Sequence, residues 1–252
     1  MALNKITDVL YGYPDWHATE LSYFEEWVQK QQQASITIFR GQRRAWPLLP
    51  SITRACANSQ LLKTERELIL TFRKEAERCL HLLPSTDWDW IVVAQHHGIP
   101  TRVLDWSYDP LVALWFALEK HTKASDSAPE VWVLKPLAED VLAPKELKHS
   151  NPFSGTRTKV FETNFMLPRV RAQQSCFTLF KHIEKKQKGF VPLEENVYLR
   201  KSLERIRIPP YACKRVLLAL KNKGYCRDAL YPNIDKIAGS IKKRILATGF
   251  SI

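Results

Sequence analysis

Apolar positions along the chain alternate between a helical period and a strand period. Residues 61–83 place Leu61, Leu62, Leu68, Ile69, Phe72, Ala76 and Leu80 on one side of a predicted helix. Residues 19–33 read as another, with Ser22-x-x-Glu25 as its capping box. Residues 87–97 form a third, closed by Gly98 as a left-handed terminator. Asp109-Pro110 opens a fourth, since aspartate suits the N-cap and proline the first helical position, and the apolar run 111–118 follows. Helices at 210–223, stopped by Gly224, and at 234–246 complete the set.

Strand signals are fewer. Residues 35–40 alternate and are β-branched, predicting a strand that ends at Gly41. Residues 130–134 make a good strand, and 176–180 and 205–208 make weaker ones. Residues 142–168 show no period and read as loop. The order of elements predicts an α+β protein: a mixed or antiparallel sheet core with several flanking helices, lacking the strict alternation of a Rossmann fold. There is no repeat to suggest a solenoid. The longest apolar run, 111–118, is less than half of what a bilayer requires.

Composition narrows the class. The 252 residues are 45% hydrophobic and 11% aromatic, enough for one sizeable core and too much for a disordered chain. The five cysteines (56, 79, 176, 213, 226) are odd in number and widely spaced, without a C-x-x-C pair. That pattern argues against a disulfide scaffold and a zinc ribbon and predicts a reducing compartment. The first eight residues lack an apolar run behind Lys5, so no signal peptide is expected. These readings predict a cytoplasmic protein with no membrane partner.

Charge adds a candidate partner. The net charge is +12, and residues 135–252 hold 24 Lys and Arg against 10 Asp and Glu. The excess sits in clusters at 185–188, 205–207, 214–215, 221–223 and 242–244. A basic C-terminal half attracts polyanions, so nucleic acid is the expected partner there. Lysines decorating solvated helices would give the same count.

The common nucleotide-loop, metalloprotease and serine-hydrolase motifs are absent. Three segments are instead rich in polar chemistry. At Phe39-Arg40-Gly41-Gln42 an arginine ends a strand, offering five donors to a carboxylate or a diphosphate, and the glycine allows a ligand to approach the backbone. In residues 94–110 a tight helix exit at Gly98 and Pro100 is expected to hold His97, Thr101, Arg102 and Asp105 near one another. The adjacent His96 and His97 diverge on a helix, so no metal site is predicted. In the third segment Arg169, Arg171 and Gln173 would share one face of an extended strand. Each segment has a structural alternative: an ion pair, a clamp across a turn, or a charge-protected sheet edge.

Taken in order, the three segments resemble the FRG domain family. The resemblance runs through Phe39-Arg40-Gly41-Gln42, Trp46 to Arg54 with its Leu-x-Pro-Ser-x-x-Arg element at 48–54, residues 95–106 and the following helix, 172–178, and Leu230-Tyr231-Pro232. It implies a single domain over residues 1–252, with a core of about 30–240 and a basic helical part at about 200–252. Two positions depart from the family pattern, which places an aromatic at His97 and a glycine at Ser175. The order of elements is also similar, more remotely, to the ADP-ribosyltransferase fold. That similarity implies an NAD cofactor and no metal. By this analogy Arg40 and Arg102 would hold the diphosphate, with Gln42, His97 and Thr101 beside the ligand. Trp106 and Ser107 would flank the nicotinamide, and Asp105 or Gln173 would steady the ribose. Those enzymes usually carry a glutamate near position 173, and glutamine lacks the charge that stabilises a developing cation.

Two functions follow. One is an NAD-dependent ADP-ribosyltransferase or NAD glycohydrolase acting on a polyanionic or nucleic-acid-associated target, with Arg40, Asp105 and Gln173 as its catalytic set. The other is a non-catalytic nucleotide- or nucleic-acid-binding module of prokaryotic or phage conflict systems.

Overall fold

The computed structural model describes residues 20–32, 36–55, 61–120, 128–155, 157–165, 167–181 and 190–233. Its strands are β1 (Ile38–Gln42), β2 (Val103–Ser107), β3 (Glu130–Leu134), β4 (Lys159–Phe161), β5 (Ser175–Leu179) and β6 (Leu203–Arg207). They form one sheet in the order β4-β5-β2-β1-β3-β6, with every neighbouring pair antiparallel. The helices are α1 (Glu20–Gln31), α2 (Ile52–Ala55), α3 (Leu61–Ala76), α4 (Asp87–His96), α5 (Pro110–Leu118), α6 (Pro168–Ala172), α7 (Cys213–Asn222) and α8 (Arg227–Leu230). The protein is thus of the α+β class, with helices flanking an antiparallel sheet.

The pleat divides the core. On one face Phe39, Val131, Val133 and Ile206 pack beneath α1, α5 and α7 through Phe24, Trp27, Leu114 and Val216. Further along the same face, Val103, Phe177 and Leu179 pack against Ile69 of α3 and Trp88 and Ile91 of α4. On the other face Ile38, Leu104, Trp106, Trp132 and Leu134 are covered by Leu48, Phe190, Leu193 and Leu199 from irregular segments. Each such side chain contributes about 1.5–3 kcal/mol by leaving water.

Local chemistry sets the helix starts. Thr86 and Asp89 make a reciprocal capping box at α4, and Asp109 accepts the Leu111 N–H at 2.8 Å ahead of Pro110 in α5. The α5 run is apolar on nearly every side because the helix lies between the sheet and its neighbouring helices. It reaches the sheet over Gly41, where a Cβ atom would stand 1.8 Å from the Ala113 carbonyl oxygen.

Several elements differ from expectation. The strand β1 runs through Gly41 to Gln42, because both residues pair with β3. Glu20 and Leu21 are already helical in α1, which puts Ser22 inside the helix rather than at its cap. Helix α3 stops at Ala76, and Leu82 and Leu83 beyond it are exposed, with no core to hold that face. Residues 168–172 are a short helix led by Pro168, so Arg169 and Arg171 do not share a strand face. The loop-like stretch 142–168 contains β4, and the polar turn 103–107 is the central strand β2. The helix expected at 234–246 lies outside the described residues. No described helix is long and apolar enough to cross a membrane.

Candidate functional site

Strands β1 and β2 pair only at Phe39 and Ser107, although β1 pairs with β3 along its full length. Continued pairing would set Arg40 opposite Trp106 and Gly41 opposite Asp105. The strands part there instead, and a cleft of about 730 Å³ opens, lined by β1, residues of the 43–54 segment, β2, α5 and the α6–β5 junction. That volume suits a small-molecule or cofactor ligand.

Arg40 reaches across the parting. Its Nη1 donates to the Asp105 backbone oxygen at 2.6 Å, while its Nε is buried without a hydrogen-bond partner among the described residues. Burial pulls the guanidinium below its ordinary pKa; Asp105 opposes that shift and Arg54 adds to it. An arginine in this condition suits an anionic ligand. The surrounding wall is cationic too, with Arg43, Arg54, Lys120 and Arg169 outnumbering the carboxylates of Asp105 and Glu119. Gln42, also on the wall and 7% exposed, has a buried Oε1 with no donor among the described residues.

The Asp105 carboxylate is held from behind. Its Oδ1 accepts from Gln95 Nε2 at 2.8 Å, and Gln95 Oε1 accepts in turn from the Thr101 hydroxyl. Thr101 Oγ1 also takes the Val103 N–H at 3.2 Å. Both groups on Gln95 are therefore committed, which fixes the amide with its NH₂ towards Asp105. Across the cleft, the Gln173 carbonyl accepts from Ser107 Oγ at 2.7 Å, and Gln173 Nε2 donates to the Leu230 oxygen at 2.9 Å. The chain reverses beside it at Gln174, whose φ of 44° is left-handed.

The structure brings Arg40, Gln42, Asp105, Trp106, Ser107 and Gln173 to one cleft. It does not bring Arg102, Thr101 or His97 there. Arg102 lies in a buried ion pair with Glu65 of α3, Nε to Oε2 at 2.9 Å, and Glu65 also accepts the Arg102 backbone N–H at 2.7 Å. Its Nη2 donates to the Pro152 carbonyl. Burial pushes the Glu65 carboxyl up and Arg102 pulls it back. Thr101 is buried and acts on the site only through Gln95. His97 is exposed against Phe72, and its neighbour His96 turns inward instead. There His96 shares a small recess with Asp105, Arg169 and Gln173; burial, Arg169 and His97 lower its pKa against the pull of Asp105. Trp106 is 2% exposed and its indole N–H donates to Thr178 Oγ1 at 3.1 Å, so its ring belongs largely to the core.

Sequence reasoning missed Trp46 and Arg54 as site residues, although both stand in the Leu-x-Pro-Ser-x-x-Arg region. It also missed Phe116, Glu119 and Lys120, whose place on the cleft follows from α5 crossing β1. Much of the basic excess that falls on described residues is already paired. Arg205 and Arg207 hold the buried Glu130, Lys223 meets Glu25, and Arg157 meets Asp140. The clusters at 185–188 and 242–244 lie outside the described residues. Among the described residues, no group of three His, Cys, Asp or Glu could hold a metal ion.

Residues 35–126 match the family model of the FRG domain, a range that includes β1, β2, α5 and therefore Arg40 and Asp105. No curated protein and no solved structure matches the chain.

Proposed function

We propose that the cleft, built in part by the residues 35–126 that match the FRG-domain model, binds a diphosphate-linked dinucleotide of the NAD type and transfers its ADP-ribosyl group to water or to a nucleophile on a target. One observation supports this reading above the others. Arg40 is desolvated, lies next to a second cation, and among the described residues donates to the Asp105 backbone carbonyl while its buried Nε has no hydrogen-bond partner. A diphosphate would supply the missing charge to a rigid five-donor fork.

Residue roles follow from position. Arg40 and Arg54 hold phosphate. Gln173 spends its NH₂ on Leu230 and keeps Oε1 to accept a ribose hydroxyl. Loss of nicotinamide from NAD builds positive charge on the ribose. Asp105, fixed by Gln95 on the cleft wall, is the carboxylate placed to stabilise that charge without reorganising. His96, whose pKa is lowered by burial, Arg169 and His97, shares a recess with Asp105 and would accept the proton of the water or target group that attacks the ribose.

A specific observation favours a second reading, that of a nucleotide-binding module without turnover. The α6–β5 wall presents the amide of Gln173 where a second carboxylate would help most. One experiment decides between them. Purified protein mixed with NAD is expected to release nicotinamide, and Asp105→Asn is expected to slow that release by about 10²–10³-fold while ADP-ribose affinity stays within about threefold. Bound ADP-ribose with no nicotinamide released by the wild-type protein would establish the non-catalytic module. Unchanged release by Asp105→Asn would remove Asp105 from the chemistry.

A further inference from the structure

The reading of the cleft as an NAD-type site leaves open which end of the ligand lies where, and which residues hold its base. Trp46 bears on both. It is 49% exposed, whereas Trp27, Trp88, Trp90, Trp106, Trp115 and Trp132 are all 4% exposed or less. An indole left half in water on a cleft wall offers a flat apolar surface to a ligand. The Arg43 guanidinium lies 5.8 Å from its ring centroid, adding a cation to the stack.

The position is built rather than loose. The Trp46 N–H donates to the Arg44 oxygen at 2.8 Å, and Pro47 follows. Leu48 then anchors the segment: it is fully buried, and its N–H donates to the Glu194 carboxylate at 3.2 Å. The backbone that carries the ring is therefore set before any ligand arrives, which reduces the ordering cost of binding.

The same cleft contains Gln42 Oε1, unpartnered among the described residues. A buried acceptor of that kind calls for a donor from the ligand. An aromatic base with an exocyclic amine satisfies both features, because it stacks on indole and donates to an amide oxygen. Glutamine is well suited to the amine edge of adenine.

We infer that Arg43, Trp46 and Gln42 form a seat for an adenine-type base, so that the cleft takes adenine nucleotides with the base against Trp46 and the phosphates at Arg40 and Arg54. This rests on the nucleotide reading above and goes beyond it by assigning the residues that seat the base and the ligand's direction.

Calorimetric titration with AMP, IMP and inorganic pyrophosphate tests it. AMP is expected to bind more tightly than IMP, which lacks the amine, and Gln42→Leu is expected to erase that difference. Trp46→Ala should weaken AMP by about tenfold while leaving pyrophosphate within about twofold, and Trp46→Phe should restore most of the loss. Pyrophosphate binding with AMP affinity unmoved by Trp46→Ala, or with IMP equal to AMP in the wild-type protein, would overturn the base seat alone. A wild-type protein that binds neither AMP nor pyrophosphate would overturn the nucleotide reading together with it.

Discussion

Arg102→Ala is expected to lower the unfolding free energy by about 3–5 kcal/mol, because it strands a buried carboxylate. Glu65 and Arg102 have side chains only 1% and 5% exposed, and Glu65 also holds the backbone N–H at the entry to β2. Removing the guanidinium leaves Glu65 to take a proton or admit water, and either outcome loosens α3 from the central strand. The loss should appear as a lower urea midpoint with little change in slope. A double replacement, Glu65→Leu with Arg102→Met, should recover most of it, since paired apolar groups of similar volume carry no stranded charge. An Arg102→Ala protein of wild-type stability would contradict the structural role and return Arg102 to the ligand-binding residues.

Gly41→Ala is the second large effect. The new methyl group would lie 1.8 Å from the Ala113 oxygen and 2.6 Å from the Ala117 nitrogen. Both are backbone atoms of a helix, so no side-chain rotation can relieve the contact. Either α5 moves off the sheet or β1 bends away from β3, and each change disturbs a wall of the cleft. Over-packing of this kind costs about 1–3 kcal/mol in ordinary cores, and a clash with backbone should reach the top of that range. Urea unfolding measures the loss, and ADP-ribose binding should fall with it. Wild-type stability would show that α5 does not rest on Gly41.

The sequence revealed helices better than strands, and the reason is visible in particular residues. Helix α5 announced itself through Asp109-Pro110 and eight apolar positions, and α4 through Gly98, whose φ is +89°. The central strand β2 did not, because Asp105 and Ser107 interrupt its apolar pattern for the sake of the cleft. Its membership of the sheet comes from pairing with β5, which lies about 70 residues away and leaves no local trace.

The candidate site was legible where polarity conflicted with burial. Arg40 and Asp105 stood out from their apolar neighbours, and the fold places them together. Arg102 stood out for the same reason and proved to be a clamp, since only the fold could reveal Glu65 across from it. His97 was singled out where His96 turns inward; adjacent helical positions point about 100° apart, and composition cannot choose between them. Trp46 gave no periodic signal because its neighbours form a turn fixed by tertiary contacts.

On the function proposed above, Arg40 at the parting of β1 and β2 clamps an anionic ligand. Calorimetric titration of ADP-ribose into the wild-type protein and into Arg40→Ala, with circular dichroism to confirm equal folding, tests it most directly. Saturable binding by the wild type that weakens by about 30-fold or more in a well-folded variant is the predicted result. Equal affinity in the two proteins, or no binding to either, would contradict it.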